Sequence, residues 1–378
     1  MRVIRVRTDG VVRAVRLVDD AGEPVVVADR FLAHLGERGF SPNTLCAYGN
    51  DLRRFFNFLA SEDMGWLEFD PPAALRLLSF LRKEPSGRSA QRLGLSAVAG
   101  GGRPVPVLSP ASVNRTLAGV SSFFEWAIAA GEYLSESPMQ TRPDPVLARV
   151  SDRHQPFMGR ASRQQPVRRS VGVRVPLRLP RPMCQADLDA FFGSLRKLRD
   201  RAVFLLMLDG GLRPGEALSL YLEDVSYGQR RVIIRKRDDH PRGLRGKSRA
   251  ERIVDLHEPR TLEAVSRYVM RERPSEATSP FLFLVGGNHD SRLKPLSYDA
   301  VVRLFARRME ALGIRTPDTT PHALRHTHAT AMWEGGMRQL TLQRRLGHAS
   351  PDSTKIYTRI SDEAVLAEYV QAIGGGGE

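Results

Sequence analysis

Five short segments in the second half of the chain hold the side chains best suited to chemistry on a phosphate. The first is Gly210-Gly211-Leu212-Arg213-Pro214-Gly215-Glu216. Two glycines and a proline fix a sharp turn between helical patterns, and that turn projects Arg213 inward. Arginine grips a phosphate with two parallel N–H donors. Glu216 falls in the first turn of the next helix, where a carboxylate complements the dipole and orients Arg213. Taken alone, the segment also reads as a plain corner between helices. The second is Leu244-Arg245-Gly246-Lys247-Ser248-Arg249, in a basic loop between two strand-like runs. A hairpin tip reaches into a groove, and Lys247 can protonate a departing oxygen if neighbouring arginines lower its pKa. An exposed basic loop is the alternative reading. The third, Pro321-His322-Ala323-Leu324-Arg325-His326-Thr327-His328, places His322 and Arg325 three residues apart on one helical face, with Thr319-Thr320 as candidate caps. The fourth is Leu346-Gly347-His348. The fifth ends at Tyr357, nine residues after His348.

A metal site is the competing chemistry for the histidines. His322 and His326 stand four residues apart, a spacing that chelates zinc. No carboxylate lies between them and no third ligand is indicated, so no metal is expected. His326 and His328 read as packing residues.

These segments need elements to hold them. From Gln185 the pattern is mostly helical, with helices expected at 185–197, 198–209, 261–272, 297–313, 322–334, 338–346 and 361–373. Two strands at Arg231–Lys236 and Arg252–Leu256 flank the basic loop. The first half also reads as helical. Ala28–Leu35 is one helix, and Ser41-Pro42-Asn43-Thr44 caps a second that carries Leu45, Tyr48, Leu52, Phe55, Phe56 and Leu59 at helical spacing. A third runs from Ser109 to Ala130 and stops at Gly131. Residues 84–108 are rich in Gly, Ser and Pro and read as a loop. Residues 1–24 alternate apolar and charged side chains about an Asp9-Gly10 turn, the pattern of one or two short strands. Residues 142–182 hold ten arginines, no lysine, two aspartates and seven prolines. They read as a flexible basic strap between domains, suited to closing a clamp around DNA, or else as a solvated linker. The expected division is a strand-like extension (1–27), a helical domain (28–141), the strap (142–182), an α+β domain (183–373) and a tail (374–378). The fold class is mainly α with a small antiparallel sheet.

Bulk composition narrows the function classes. The 378 residues carry 57 Lys+Arg against 42 Asp+Glu, a net charge of +15. Such an excess favours a polyanionic partner, because phosphate contacts release counterions. An arginine-rich, high-GC genome would give the same excess in a soluble protein. Cys46 and Cys184 form neither a metal motif nor a disulfide framework, which suits a reduced cytosolic setting. The opening residues are too charged for a signal peptide, and no run of about 18 apolar residues suggests a membrane span.

In order, the five segments read Arg, Lys, His-x-x-Arg, His, Tyr. With PHALRHTHAT, LGH and the later tyrosine at these spacings, residues 183–373 resemble the tyrosine recombinases, or phage-type integrases. Residues 28–140 resemble that family's SAM-like core-binding domain on softer patterning. The resemblance implies a two-domain clamp whose catalytic residues are Arg213, Lys247, His322, Arg325, His348 and the nucleophile Tyr357, with Glu216 as the supporting buried acid. Two features depart from the family pattern. Residues 246–256 read GKSRAERIVDL where many members carry a second lysine and a proline, so Lys236 competes with Lys247. The first 24 residues and the strap are additions to the minimal chromosome-dimer-resolving members and suit a transposon- or phage-borne enzyme.

The implied reaction is transesterification. Tyrosine attacks a phosphodiester, leaves a 3′-phosphotyrosine, and the arginines and histidines bind the developing charge. Because the bond energy is retained and cationic side chains serve the phosphate, neither ATP nor metal is expected, and no cofactor. The implied partners are double-stranded recombination sites, a homotetramer in the synapse with monomers or dimers off DNA, and accessory DNA-bending proteins. The implied setting is cytoplasmic, at the nucleoid when DNA-bound. Candidate DNA contacts are Thr44, Tyr48, Arg115, Arg168, Arg169, Arg245 and Arg249. The final helix carries Val365, Leu366, Tyr369, Val370 and Ile373 on one face, for docking on its own domain or on a neighbouring protomer. A type IB topoisomerase and a catalytically dead DNA-binding regulator are the alternatives.

Overall fold

A computed structural model describes residues 1–8, 11–86, 107–143, 167–175, 182–237, 240–241, 244, 251–288, 290–316 and 319–347. The chain divides into two compact units, Met1–Leu177 and Arg178–Glu378. The segments carrying Arg245, Lys247 and Arg249, His348, Tyr357 and the expected final helix lie outside the described residues.

The first unit opens with an antiparallel hairpin, β1 (Arg2–Thr8) and β2 (Val11–Val18). Four helices follow: α1 (Val26–Glu37), α2 (Pro42–Ser61), α3 (Pro71–Lys83) and α4 (Pro110–Ala129). Their starts are written locally. The side chains of Ser41, Asp70 and Ser109 accept from the N–H groups of Thr44, Ala73 and Ser112, and each is followed by proline at the first helical turn. Helix α3 is an addition to the expected helices, although Asp70-Pro71-Pro72 and the buried Ala73, Ala74, Leu77 and Leu81 spell it. Phenylalanine rings fill the centre, with Phe55 5.0 Å from Phe69 and 5.7 Å from Phe124. The hairpin adds Val15 and Leu17 to this same core. Gly49 on α2 allows that docking, because a Cβ there would lie 3.1 Å from Cγ1 of Val3.

The described parts of the basic strap, residues 142–143 and 167–175, have backbone partners. Two short strands, β3 (Thr141–Pro143) and β4 (Val167–Arg169), pair antiparallel. Further along, Asn114 on α4 both donates to the Val173 carbonyl (2.7 Å) and accepts from the Val173 N–H (2.8 Å). Pairing with a partner backbone supplies the hydrogen bonds that composition alone does not reveal.

The second unit contains α5 (Gln185–Ser194), α6 (Leu198–Leu208), α7 (Pro214–Leu218), α8 (Pro259–Arg271), α9 (Tyr298–Ala311), α10 (His322–Glu334) and α11 (Gln339–Leu346). A three-stranded antiparallel sheet runs in the order β5 (Val225–Ser226), β6 (Arg231–Ile234), β7 (Arg252–Asp255). The short β5 is an addition to the two expected strands. The register of β6 with β7 pairs Val232 with Val254 and Ile234 with Arg252, so Val232, Ile234 and Val254 face a core built on Phe191, Phe204 and Phe305. Helix α10 starts differently from expectation. No side chain caps it; the Thr320 carbonyl receives the Ala323 N–H at 2.8 Å, and Thr319 Oγ1 instead accepts from the Thr316 N–H at 3.1 Å. None of the described helices is long and apolar enough to cross a membrane.

Candidate active site

The turn between α6 and α7 sets the site. Gly211 adopts φ +63°, and a Cβ on it would stand 2.5 Å from Cδ2 of His328. A Cβ on Gly210 would stand 2.7 Å from the Leu206 carbonyl. Only glycine fits both positions. Arg213 then caps α7 from an extended conformation, and its backbone N–H donates to Glu216 Oε2 at 2.8 Å.

Glu216 is the hub. Its side chain is 2% exposed, and guanidinium groups from three elements surround it. Arg213 donates Nη1 to Oε1 at 2.7 Å. Arg252, from β7, forks both oxygens, with Nη1 to Oε1 at 3.0 Å and Nη2 to Oε2 at 2.7 Å. Arg325, from α10, places Nη1 3.6 Å from Oε2. Burial alone would raise the Glu216 pKa. The hydrogen bonds and charge of Arg252, then the charges of Arg325 and Arg213, outweigh burial and hold it at about 2.

The same three arginines cap one helix end. The last carbonyls of an α-helix lack intrahelical donors. At α11, Arg252 Nε donates to the Arg345 carbonyl (3.0 Å), Arg325 Nη2 to that of Leu346 (2.6 Å) and Arg213 Nη2 to that of Gly347 (3.1 Å). Gly347 closes the helix in the left-handed region, at φ 64° and ψ 46°. Its glycine is required: a Cβ would lie 2.6 Å from Nη1 of Arg252. This fastened turn leads directly into His348.

His328 supports the cluster from behind. Burial, with the Arg345 charge adding to it, pulls its pKa down to about 4; the Leu208 backbone hydrogen bond and Asp209 oppose this. The neutral ring accepts from Arg345 Nε at 3.0 Å. Burial, then the Arg325 charge, lowers the pKa of His326 as well. His322, at the exposed first turn of α10, lies with its ring 5.7 Å from that of His326. Among the described residues no three His, Cys, Asp or Glu side chains group as a metal site.

The structure therefore brings Arg213, Glu216 and Arg325 together, with His322 one turn before Arg325 on α10. Arg252, Arg345 and the supporting role of His328 are additions to the expected site. Arg252 had a legible signal: it alternates with Val254 and Leu256, both buried, so a charged side chain occupies an inward position of β7. The candidate DNA contacts of the first unit are dispersed within it. Thr44 sits in the α2 cap, its hydroxyl 2.8 Å from that of Ser41. The Tyr48 ring packs edge-on against Phe31 (5.7 Å) and Phe40 (6.2 Å). Arg115 reaches Asp51 at 2.9 Å and is otherwise half exposed. Arg168 and Arg169 belong to β4, with Arg169 exposed.

Comparison with known proteins agrees with this construction. Residues 184–364 match the phage integrase family and residues 28–100 match the phage integrase N-terminal SAM-like domain. Tyrosine recombinase XerC of Rhodospirillum centenum is 32% identical over 361 residues, covering 93% of this chain and 87% of that protein. Transposase A from transposon Tn554 of Staphylococcus aureus is 25% identical over 363 residues, covering 92% of this chain and 90% of that protein. In fold, the chain is similar to the Tn1549 transposon integrase in complex with a circular intermediate DNA, with a TM-score of 0.61 and 17% identity over 92% of this chain and 99% of that one. The chain belongs to the phage integrase family, the tyrosine recombinases, enzymes that cut and rejoin DNA strands.

Proposed function

We propose that this chain recombines DNA at specific sites through a covalent 3′-phosphotyrosine on Tyr357, in the service of a mobile element. The observation that carries the reading is the cluster at Glu216, where three guanidinium groups surround one carboxylate and leave a net positive charge. Transesterification at a phosphodiester gathers negative charge on the non-bridging oxygens. Preorganised cationic donors stabilise that charge without reorganising at the moment of reaction.

In this reading Arg213 and Arg325 hold the scissile phosphate, and His322 and His348 donate to it. The Tyr357 oxygen attacks phosphorus in line, its proton passing to solvent. The bond from phosphorus to the 5′ oxygen breaks, and Lys247 protonates that leaving oxygen. Rejoining reverses the sequence, with a 5′-hydroxyl attacking the phosphotyrosine. Similarity to transposase A from Tn554 supports a mobile-element role. The substrate is a pair of double-stranded recombination sites held by four copies of the chain, which part into monomers or dimers off DNA, with DNA-bending accessory proteins. The enzyme acts in the cytoplasm, at the nucleoid when bound to DNA.

A nicked suicide substrate carrying the element's own end sequence tests the reading. The unaltered protein accumulates a denaturation-resistant DNA adduct, whereas Tyr357→Phe binds the same DNA and forms none. An adduct from Tyr357→Phe would overturn the assignment of the nucleophile.

A further inference from the structure

We infer that Arg252 is a positioning residue for strand cleavage: it neutralises Glu216 so that Arg213 and Arg325 keep their charge for the phosphate, and it fixes the turn into His348. The inference rests on the reading of Arg213 and Arg325 as the phosphate-holding pair.

Geometry separates Arg252 from its two companions. Its guanidinium meets Glu216 as a fork, with one donor on each carboxylate oxygen, at 3.0 and 2.7 Å. Fork-to-fork pairing is the strongest arrangement these groups have. Arg213 reaches only Oε1 through its side chain, and Arg325 stands back at 3.6 Å. One carboxylate compensates one positive charge. With Arg252 as its main partner, the cluster of three arginines and one glutamate retains two positive charges. Without Arg252 it would retain one, and Arg213 would become the principal counterion of Glu216.

The third donor of Arg252 gives it a second task. Nε holds the Arg345 carbonyl at 3.0 Å, and the guanidinium lies where a Gly347 Cβ would be, 2.6 Å from Nη1. The side chain is 7% exposed, so it presents its donors inward, to protein groups. Strand β7 supplies it, at the inward-facing position where Ile234 of β6 is its partner. The charged groups facing Glu216 are Arg213 from the turn before α7, Arg252 from β7 and Arg325 from α10.

Single-turnover cleavage of a nicked suicide duplex by the full chain, followed from about pH 5 to about pH 8, tests this. Arg252→Gln should bind the duplex within about threefold of the unaltered protein yet cleave it roughly 100-fold more slowly. It should also acquire a fall in rate on the acid side, as Glu216 loses the partner that keeps it ionised. Arg252→Lys retains the charge; it should recover to within roughly tenfold and show no acid fall. In a Glu216→Gln background, Arg252→Gln should cost roughly tenfold rather than 100-fold, because the carboxylate no longer needs a counterion and only the hold on the Arg345 carbonyl is lost. If Arg252→Gln fails to fold, the Arg252→Lys cycle carries the test. Full-rate cleavage by Arg252→Gln, or effects of positions 252 and 216 that simply multiply, would overturn the inference. Arg213→Ala is the control. If it cleaves normally, the active-site reading itself falls; if it is inactive while Arg252→Gln is normal, only the role of Arg252 falls.

Discussion

The buried guanidinium of Arg325 donates to the carbonyl of Gly211 at 2.7 Å, across 114 residues of chain. This bond fastens α10 to the turn that carries Arg213, and with it the two arginines become parts of one rigid unit. Several consequences can be measured.

Gly211→Ala should destabilise the second unit by about 2–4 kcal/mol, from left-handed strain and from overpacking against His328. Gly215→Ala is the matched comparison, since its Cβ would meet nothing within 4 Å. There the change should be neutral or should stabilise by about 0.5 kcal/mol. Urea unfolding of both variants reads the difference, and equal midpoints would contradict the geometry.

Arg213→Ala and Arg325→Ala should each slow single-turnover cleavage by roughly 100–1,000-fold. Their stabilities should differ. Arg325 is 2% exposed and bridges the Gly211 and Leu346 carbonyls, so its loss strands two acceptors and should cost about 3 kcal/mol. Arg213 is 20% exposed, and its loss should cost about 1 kcal/mol. Thermal melts run beside the cleavage assay separate the two effects.

Stability should fall in two steps as the solution is acidified. His328 stays neutral in the folded chain down to about 4, against an ordinary value of 6.5. The unfolded chain therefore takes up a proton first, and the contribution of His328, complete above its ordinary value, is lost as pH falls through that window. The loss by about pH 5 amounts to about 2 kcal/mol. Glu216 follows: its contribution is complete above the ordinary 4.5 and is lost as pH falls towards about 2. Denaturant melts at neutral and mildly acid pH should show that His328→Gln, whatever its stability at neutrality, loses less on acidification than the unaltered protein.

In the first unit, Asp51→Ala should cost about 2 kcal/mol, because it strands the buried Thr116 hydroxyl and removes the partner of Arg54. Its carboxylate accepts from Thr116 at 2.8 Å and pairs with Arg115 at 2.9 Å and Arg54 at 3.5 Å. Gly119 passes so close that a Cβ would lie 3.0 Å from that of Asp51, which leaves little room for the helices to settle into the gap. The apparent unfolding midpoint of the first unit reports the loss.

Much of the architecture was legible because its signals are local. Ser41 and Ser109 with their following prolines mark two helix starts, and Gly131 and Gly347, at φ 72° and 64°, mark helix ends. Asp70-Pro71-Pro72 was equally local, and α3 could have been read from it. The strap at 142–182 was harder, since β3 and β4 pair only with each other, from either side of residues 144–166. The N-terminal hairpin was readable as strands, but its burial against α2 depends on Gly49 leaving room for Val3.

The sequence by itself determined the residue types of the site and their local settings: the glycine turn before Arg213, Glu216 three residues on, and His322 and Arg325 on one helical face. Backbone preference and helical periodicity act over a few residues, so they can be read along the chain. Tertiary structure decided which charges meet. Only folding sets Arg252 of β7 against Glu216 of α7 and lays three arginines from three elements on the last carbonyls of α11. Ion pairs take their strength from closeness and exclusion of water, and both exist only once distant segments have packed.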